Sequence, residues 1–188
     1  MLKLLRACPT GTQISAWDGS AEMIALAQQK CSSLEKSILA SVDFQQVDFS
    51  IRQNLPSSQA FDILVSTLVL EHISSEVFFS SIFRLLKPGG IAFVSNMHPD
   101  MGQNSVAGFD DENQRRIMGR SYLHTVEESV DTAKQAGLEV YDDNLKVVSV
   151  TAGMIDSGLV SERGRKWIGK RVWFGLAARR PSNKPESS

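Results

Sequence analysis

Cysteine is nearly absent: Cys8 and Cys31 are the only two among 188 residues. Neither has Cys or His neighbours at zinc-ligand spacing, so a disulfide framework and a structural zinc site are both excluded, and the pair reads as reduced packing groups. No metal is expected. Charge of one sign is lacking as well, because 20 Lys+Arg against 21 Asp+Glu leave a formal charge of −1. That balance argues against a dedicated polyanion surface. No apolar run approaches the roughly 18 residues that a membrane span needs. Lys3 and Arg6 interrupt the apolar start that could otherwise open a signal peptide. What is present is ordinary for a globular chain: about 48% apolar residues once glycine is counted in and tyrosine out. The length is enough for one domain to bury roughly 70% of the surface its unfolded chain exposes. The expectation is a single cytosolic domain over residues 1–180, with a polar, proline-interrupted tail at 181–188.

Strands and helices alternate along the chain. Gln13 to Trp17 reads as a strand ending at Asp18-Gly19, and Ser20 caps a helix that carries Met23, Ala27, Cys31 and Leu34 at helical spacing. Phe44 to Val47 forms a second strand, which ends at Asp48-Phe49. Phe61-Asp-Ile-Leu-Val-Ser-Thr67 is almost continuously apolar, the pattern of a central strand covered on both faces. A helix from Ser74 or Ser75 buries Phe79, Ile82, Phe83 and Leu86, and Lys87-Pro88-Gly89-Gly90 stops it before a strand from Ile91 to Asn96. Thr125 and Glu128 make a capping-box pair, with Val126, Val130 and Ala133 on one face of the helix that follows. Strand-like Leu145 to Val150 and Val172 to Ala178 close the chain as an antiparallel pair. The order predicts an open, mostly parallel α/β sheet of the Rossmann-like kind with a terminal antiparallel strand pair. The one long stretch without predicted elements, Met97 to Tyr122, begins at the carboxyl end of a strand, where such sheets bind ligands.

These blocks resemble the class I S-adenosylmethionine-dependent methyltransferases of the Methyltransf_11, small-molecule type. The resemblance rests on Asp18-Gly-Ser-Ala-Glu-Met-Ile-Ala-Leu-Ala27, Val47-Asp48-Phe49, the block from Phe61 to Ile73 with its Leu-Glu-His-Ile end, and Arg84-Leu-Leu-Lys-Pro-Gly-Gly90. The four occur in the family's order over roughly residues 13 to 97. The resemblance implies S-adenosyl-L-methionine as cofactor. Asp18 would accept from the ribose hydroxyls with Gly19, Ser20 and Met23 beside it, and Asp48 from the adenine amino group with Phe49 against the ring. Thr67, Leu68 and His72 would line the methionine part. Taken one at a time, Asp18 and Asp48 read as turn residues that end strands, and it is their joint spacing that favours the cofactor reading.

One departure stands out. The family's glycine-rich loop and the strand before it would fall ahead of Met1, and Met1 to Cys8 resembles the second half of the helix that follows that loop. Against the family the chain is N-terminally truncated, which opens a gap in the expected sheet. A truncated gene model, a splice product and a naturally shortened protein all account for it. Two functions follow: methyl transfer to a small organic metabolite, or a non-catalytic or repurposed protein of the same fold that has lost cofactor binding, such as a partner subunit.

Methyl transfer needs alignment and, for some acceptors, deprotonation. The candidates at the functional edge are His98, as base or substrate orienter, and His124, with Asp100 and Tyr122 as substrate contacts. His98-Pro99 is otherwise a strand-ending turn, and His124 a helix-entry residue. Residues 162–180 mix seven Lys/Arg with Trp167, Trp173 and Phe174, but alternate strand burial and the chain-wide charge favour packing over nucleic-acid binding. The expected partner is a small-molecule substrate, without nucleic acid or membrane; the oligomeric state is open.

Overall fold

The computed structural model describes residues 8–9, 11–32, 42–51, 55–56, 59–103, 108–110, 116–118 and 121–182. The predicted helix end at 1–7, Leu34 and the tail at 183–188 lie outside them. The chain divides into two compact units, Met1–Leu55 and Pro56–Ser188.

In the first unit, β1 (Ile14–Asp18) pairs in parallel with β2 (Val42–Gln46), Asp18 standing opposite Gln46. Between them runs α1 (Ala21–Cys31), whose first turn is held by the Ser20 hydroxyl accepting from the Met23 N–H at 3.2 Å. Cys31 is fully buried at the end of that helix, whereas Met23 is 50% exposed.

The second unit is built on β3 (Phe61–Thr67), which pairs in parallel with β4 (Leu86–Met97). Between them α2 (Ser75–Leu85) starts at the Ser74 cap and passes directly into β4. The Lys-Pro-Gly-Gly sequence therefore does not precede the strand but bends within it. A side chain on Gly90 would press on the Lys87 carbonyl at 2.9 Å and the Phe61 carbonyl at 3.1 Å, so only glycine lets β4 close on β3 there.

Beyond β4 come α3 (Pro99–Gly102) and a short antiparallel hairpin of β5 (Gly108–Asp110) and β6 (Arg116–Met118). The stretch expected to hold no elements thus carries three. Its strands have only three residues each, too short for a period-two pattern to be recognised. Then follow α4 (Val126–Gln135), β7 (Glu139–Val140), β8 (Lys146–Ser149), α5 (Ala152–Asp156) and β9 (Arg171–Arg179). The expected antiparallel terminal pair is β8 and β9. β9 also pairs antiparallel with β4 and with β7, giving the order β3-β4-β9-β7.

One face of this sheet makes the core. Ala92, Val94, Phe174, Leu176 and Ala178 are at most 3% exposed. They share their unit with Phe78, Phe79, Ile82 and Leu85 of α2, all fully buried, and α2 and α4 pack together against the sheet. The opposite face is open: Ile63 is 62%, Val65 52% and Phe93 48% exposed. This corrects the expectation that Phe61 to Thr67 is covered on both sides. Val65→Thr should therefore change stability by no more than about 0.5 kcal/mol. Val94→Thr should cost about 1–3 kcal/mol, because it buries a hydroxyl among apolar side chains. Urea unfolding midpoints read the difference, and equal losses would show that the Val65 face is covered in solution.

Candidate functional site

In the first unit two carboxylates stand at or just past the carboxyl ends of neighbouring parallel strands. Asp18 ends β1, and its Oδ1 accepts from the Ser20 N–H at 2.9 Å. Asp48 follows β2, its Oδ1 accepting from the Ser50 N–H at 2.9 Å and the Ser50 hydroxyl at 2.6 Å. The two turns are tied together, since the Val47 N–H donates to the Asp18 carbonyl at 2.9 Å and Gln46 Nε2 to the Gly19 carbonyl at 3.1 Å. In each carboxylate the second oxygen has no hydrogen-bond partner among the described residues. Among the described residues, no atom beyond its chain neighbours lies within 4 Å of where a Gly19 side chain would begin. Phe49 is half-buried beside Asp48.

In the second unit Thr67 ends β3, and Leu68 adopts a left-handed backbone with φ 58°. That conformation is strained for a leucine and is fixed by its N–H donating to the Ser95 carbonyl at 2.9 Å. A single 3-10 turn at Leu70–His72 follows, placing Glu71 inward and leaving the His72 side chain 57% exposed.

His98 sits at the carboxyl end of β4 and is 5% exposed. Its Nδ1 accepts from the Asp100 N–H at 3.1 Å, which caps α3. A ring that accepts at Nδ1 carries its proton on Nε2, so His98 is arranged to donate a hydrogen bond. Burial pushes its pKa below the ordinary 6.5, and Arg171 adds to this, against the opposing pull of Asp100 and Glu127. The unfolded chain therefore binds this proton more readily than the folded one. The contribution is complete above the ordinary histidine value and is lost as pH falls below it. Stability should decline as pH falls below about 6.5, and His98→Asn, which keeps a capping acceptor, should flatten the decline. Melting curves across that range check it; equal slopes in parent and variant would mean that His98 is not the titrating group.

Asp100 is held by Arg171, whose Nε donates at 2.8 Å and Nη2 at 3.2 Å. Those hydrogen bonds keep its carboxyl below the usual range. The pair fastens α3 to β9, as does the His98 N–H donating to the Val172 carbonyl at 3.1 Å. His124 is engaged on both sides: Nε2 faces the Ile73 carbonyl at 2.8 Å and Nδ1 the Glu128 carboxylate at 2.9 Å. Neither nitrogen is left for a substrate, so the catalytic expectation for His124 is corrected to a structural joint between the turn before α2 and the start of α4. Glu128 also completes the capping box with Thr125 and accepts from the Ser75 hydroxyl at 3.2 Å. Although burial opposes it, the His124 and Ser75 contacts hold the Glu128 carboxyl below its ordinary range. Tyr122 stacks on His124 with ring centroids 5.4 Å apart and remains 39% exposed.

Two hollows lined by described residues of this unit bear on the site. The larger, about 180 Å³, runs along the open sheet face past Val65, Phe93, Lys146 and Trp173. It is almost wholly apolar and offers little to chemistry. The smaller, about 30 Å³, lies at the carboxyl end of β4 between Glu71, Asn96, Met97, Gly102, Tyr122 and Leu123. Glu71 was not singled out from sequence. Its only signal is a carboxylate between Leu70 and Ile73, both buried.

Several of the basic residues near the C-terminus are used internally. Arg165 pairs with Glu162, Arg171 with Asp100 and Arg179 with Glu139, while Arg180 donates to the Phe83 and Leu86 carbonyls. No helix among the described residues is long and apolar enough to cross a membrane.

Residues 1–94 match the family model Methyltransf_11, described as a methyltransferase domain. An uncharacterized methyltransferase of Emericella nidulans is 33% identical over 192 residues, covering 94% of this chain and 66% of that protein. A ubiquinone biosynthesis O-methyltransferase of Rhizobium etli is 28% identical over 138 residues, covering 70% of this chain and 53% of that protein. The chain thus spans under two thirds of the length of these relatives. Among solved structures, geranyl diphosphate C-methyltransferase of Streptomyces coelicolor, in complex with Mg2+, geranyl diphosphate and S-adenosyl-L-homocysteine, superposes with a TM-score of 0.66 at 16% identity. That superposition covers 96% of this chain and 67% of the other, and it shows a shared fold.

Proposed function

Since the chain belongs to the Methyltransf_11 methyltransferase family, we propose that it transfers a methyl group from S-adenosyl-L-methionine to a small organic metabolite. The observation that carries the cofactor half is the pair of strand-end carboxylates, each with one oxygen tied back to its own turn and the other without a partner among the described residues. Such oxygens suit the hydroxyl and amino donors of a nucleoside. Asp18 would take the ribose hydroxyls, with Gly19, Ser20 and Met23 beside it, and Asp48 the adenine amino group, with Phe49 along the ring. Thr67, Leu68 and His72 would line the methionine part. When bound, the cofactor supplies an already activated methyl group on sulfonium, so the protein's work is alignment and exclusion of water. His98, whose Nε2–H has no partner among the described residues, would orient an acceptor rather than take its proton, and Tyr122 would cover it. Asp100 acts through the α3 joint.

The proposal extends to a cytoplasmic enzyme of small-molecule metabolism without a nucleic-acid partner. The near-zero net charge and the internal pairing of the C-terminal arginines support that extension. The test is calorimetric titration of the folded chain with S-adenosylhomocysteine. Micromolar or tighter binding is expected. A folded chain that does not bind would move the protein to the repurposed, non-catalytic reading.

A further inference from the structure

We propose that Glu71 recognises the methyl acceptor: in the cleft beside Asn96, Met97, Gly102 and Tyr122 its carboxyl group accepts a hydrogen bond from a hydroxyl or amine of that molecule. The inference rests on the methyl-transfer reading and names the class of acceptor.

The Glu71 backbone is fixed from both sides of the cleft. Its N–H donates to Asn96 Oδ1 at 3.3 Å and its carbonyl accepts from the Tyr122 N–H at 2.7 Å. Its side chain is only 15% exposed, yet its one polar partner among the described residues is His72 Nε2 at 3.5 Å, itself largely in solvent. Burial raises the carboxyl's pKa, against the weaker opposing pull of His72. Glu128 shows what a structural carboxylate looks like in this unit, with the Ser75 hydroxyl and the Thr125 N–H donating to it and His124 Nδ1 2.9 Å away. Glu71 has the burial without those donors. A half-buried carboxyl left short of partners is a cost that a ligand's donor relieves.

Size sets the class. A space of about 30 Å³ takes one or two water-sized groups, so a hydroxyl or amine enters while a phosphate or a whole ring stays outside. Met97 and Leu123 supply apolar walls for the adjoining carbon skeleton. A site built to accept from a donor discriminates strongly against analogues that lack one.

Phenol and anisole, a matched pair with and without a donor, serve as probes against the full chain, followed by amide NMR shifts. Phenol should shift the Glu71, Gly102 and Tyr122 amides saturably, with anisole at least about tenfold weaker. Glu71→Leu should erase that preference, and Glu71→Gln, which keeps a carbonyl acceptor, should retain it. S-adenosylhomocysteine affinity should stay within about threefold of the parent in both variants. Equal binding of the two probes, absence of phenol binding, or a preference that survives Glu71→Leu would overturn the assignment. Failure of the parent chain to bind S-adenosylhomocysteine would instead defeat the methyl-transfer reading. Should the leucine variant not fold, loss of the preference in Glu71→Gln would overturn the proposal by itself.

Discussion

S-adenosylhomocysteine should bind Asp18→Ala about 10- to 100-fold more weakly than the parent chain, because hydrogen bonds to a charged acceptor contribute roughly 1.5–3 kcal/mol each. The variant also loses the Oδ1 contact with the Ser20 N–H at 2.9 Å, so a weaker turn could imitate a lost ligand contact. Asp18→Asn separates the two effects. It keeps a carbonyl oxygen for Ser20 and removes the charge, so it should preserve the melting temperature while still weakening binding. Calorimetry with both variants decides: unchanged affinity in Asp18→Ala would remove Asp18 from the cofactor site. An affinity loss confined to Asp18→Ala, with Asp18→Asn like the parent, would assign the residue to the turn.

The second large effect is on stability. Phe174 is fully buried in β9, with Asn96 of β4 opposite it on one side and Val147 of β8 on the other. Its ring meets His98 edge-on, with centroids 6.5 Å apart. Truncation to alanine should cost about 3–5 kcal/mol through lost burial and the cavity left behind. Against a typical total of roughly 5–15 kcal/mol, such a loss brings the second unit close to unfolding at ambient temperature. Chemical denaturation followed by tryptophan fluorescence measures it, Trp173 being the adjacent reporter. A loss under about 1 kcal/mol would mean that the sheet collapses around the vacancy.

Much of the fold was legible because its signals are local. Ser20, Ser74 and Thr125 cap their helices through their own hydroxyls, and a cap needs only a few consecutive residues to declare itself. The antiparallel closure by β8 and β9 followed from two apolar runs separated by glycines. The candidate site was legible only in its types of residue. His98 and His124 are both histidines flanking the same stretch, yet one retains a donor nitrogen and the other has both nitrogens engaged. Asp100 likewise reads as a free acid until Arg171, far along the chain, is found against it. Glu71 was hidden for the opposite reason, since the proposal for it rests on how few polar partners its side chain has among the described residues.

The residues by themselves determined the order of the main strands and helices, β1 to β4 with α1 and α2, then α4 and the β8–β9 pair, their caps, the placement of Asp18 and Asp48 at strand ends, and the family. Each of these depends on neighbours in sequence or on motif order. Tertiary structure alone decided which apolar side chains are covered. Val65 and Val94 are both valines in apolar runs on paired strands, but one lies 52% exposed and the other 2%. A side chain's preference for burial is a property of the residue, whereas burial itself requires that another surface arrive on that face.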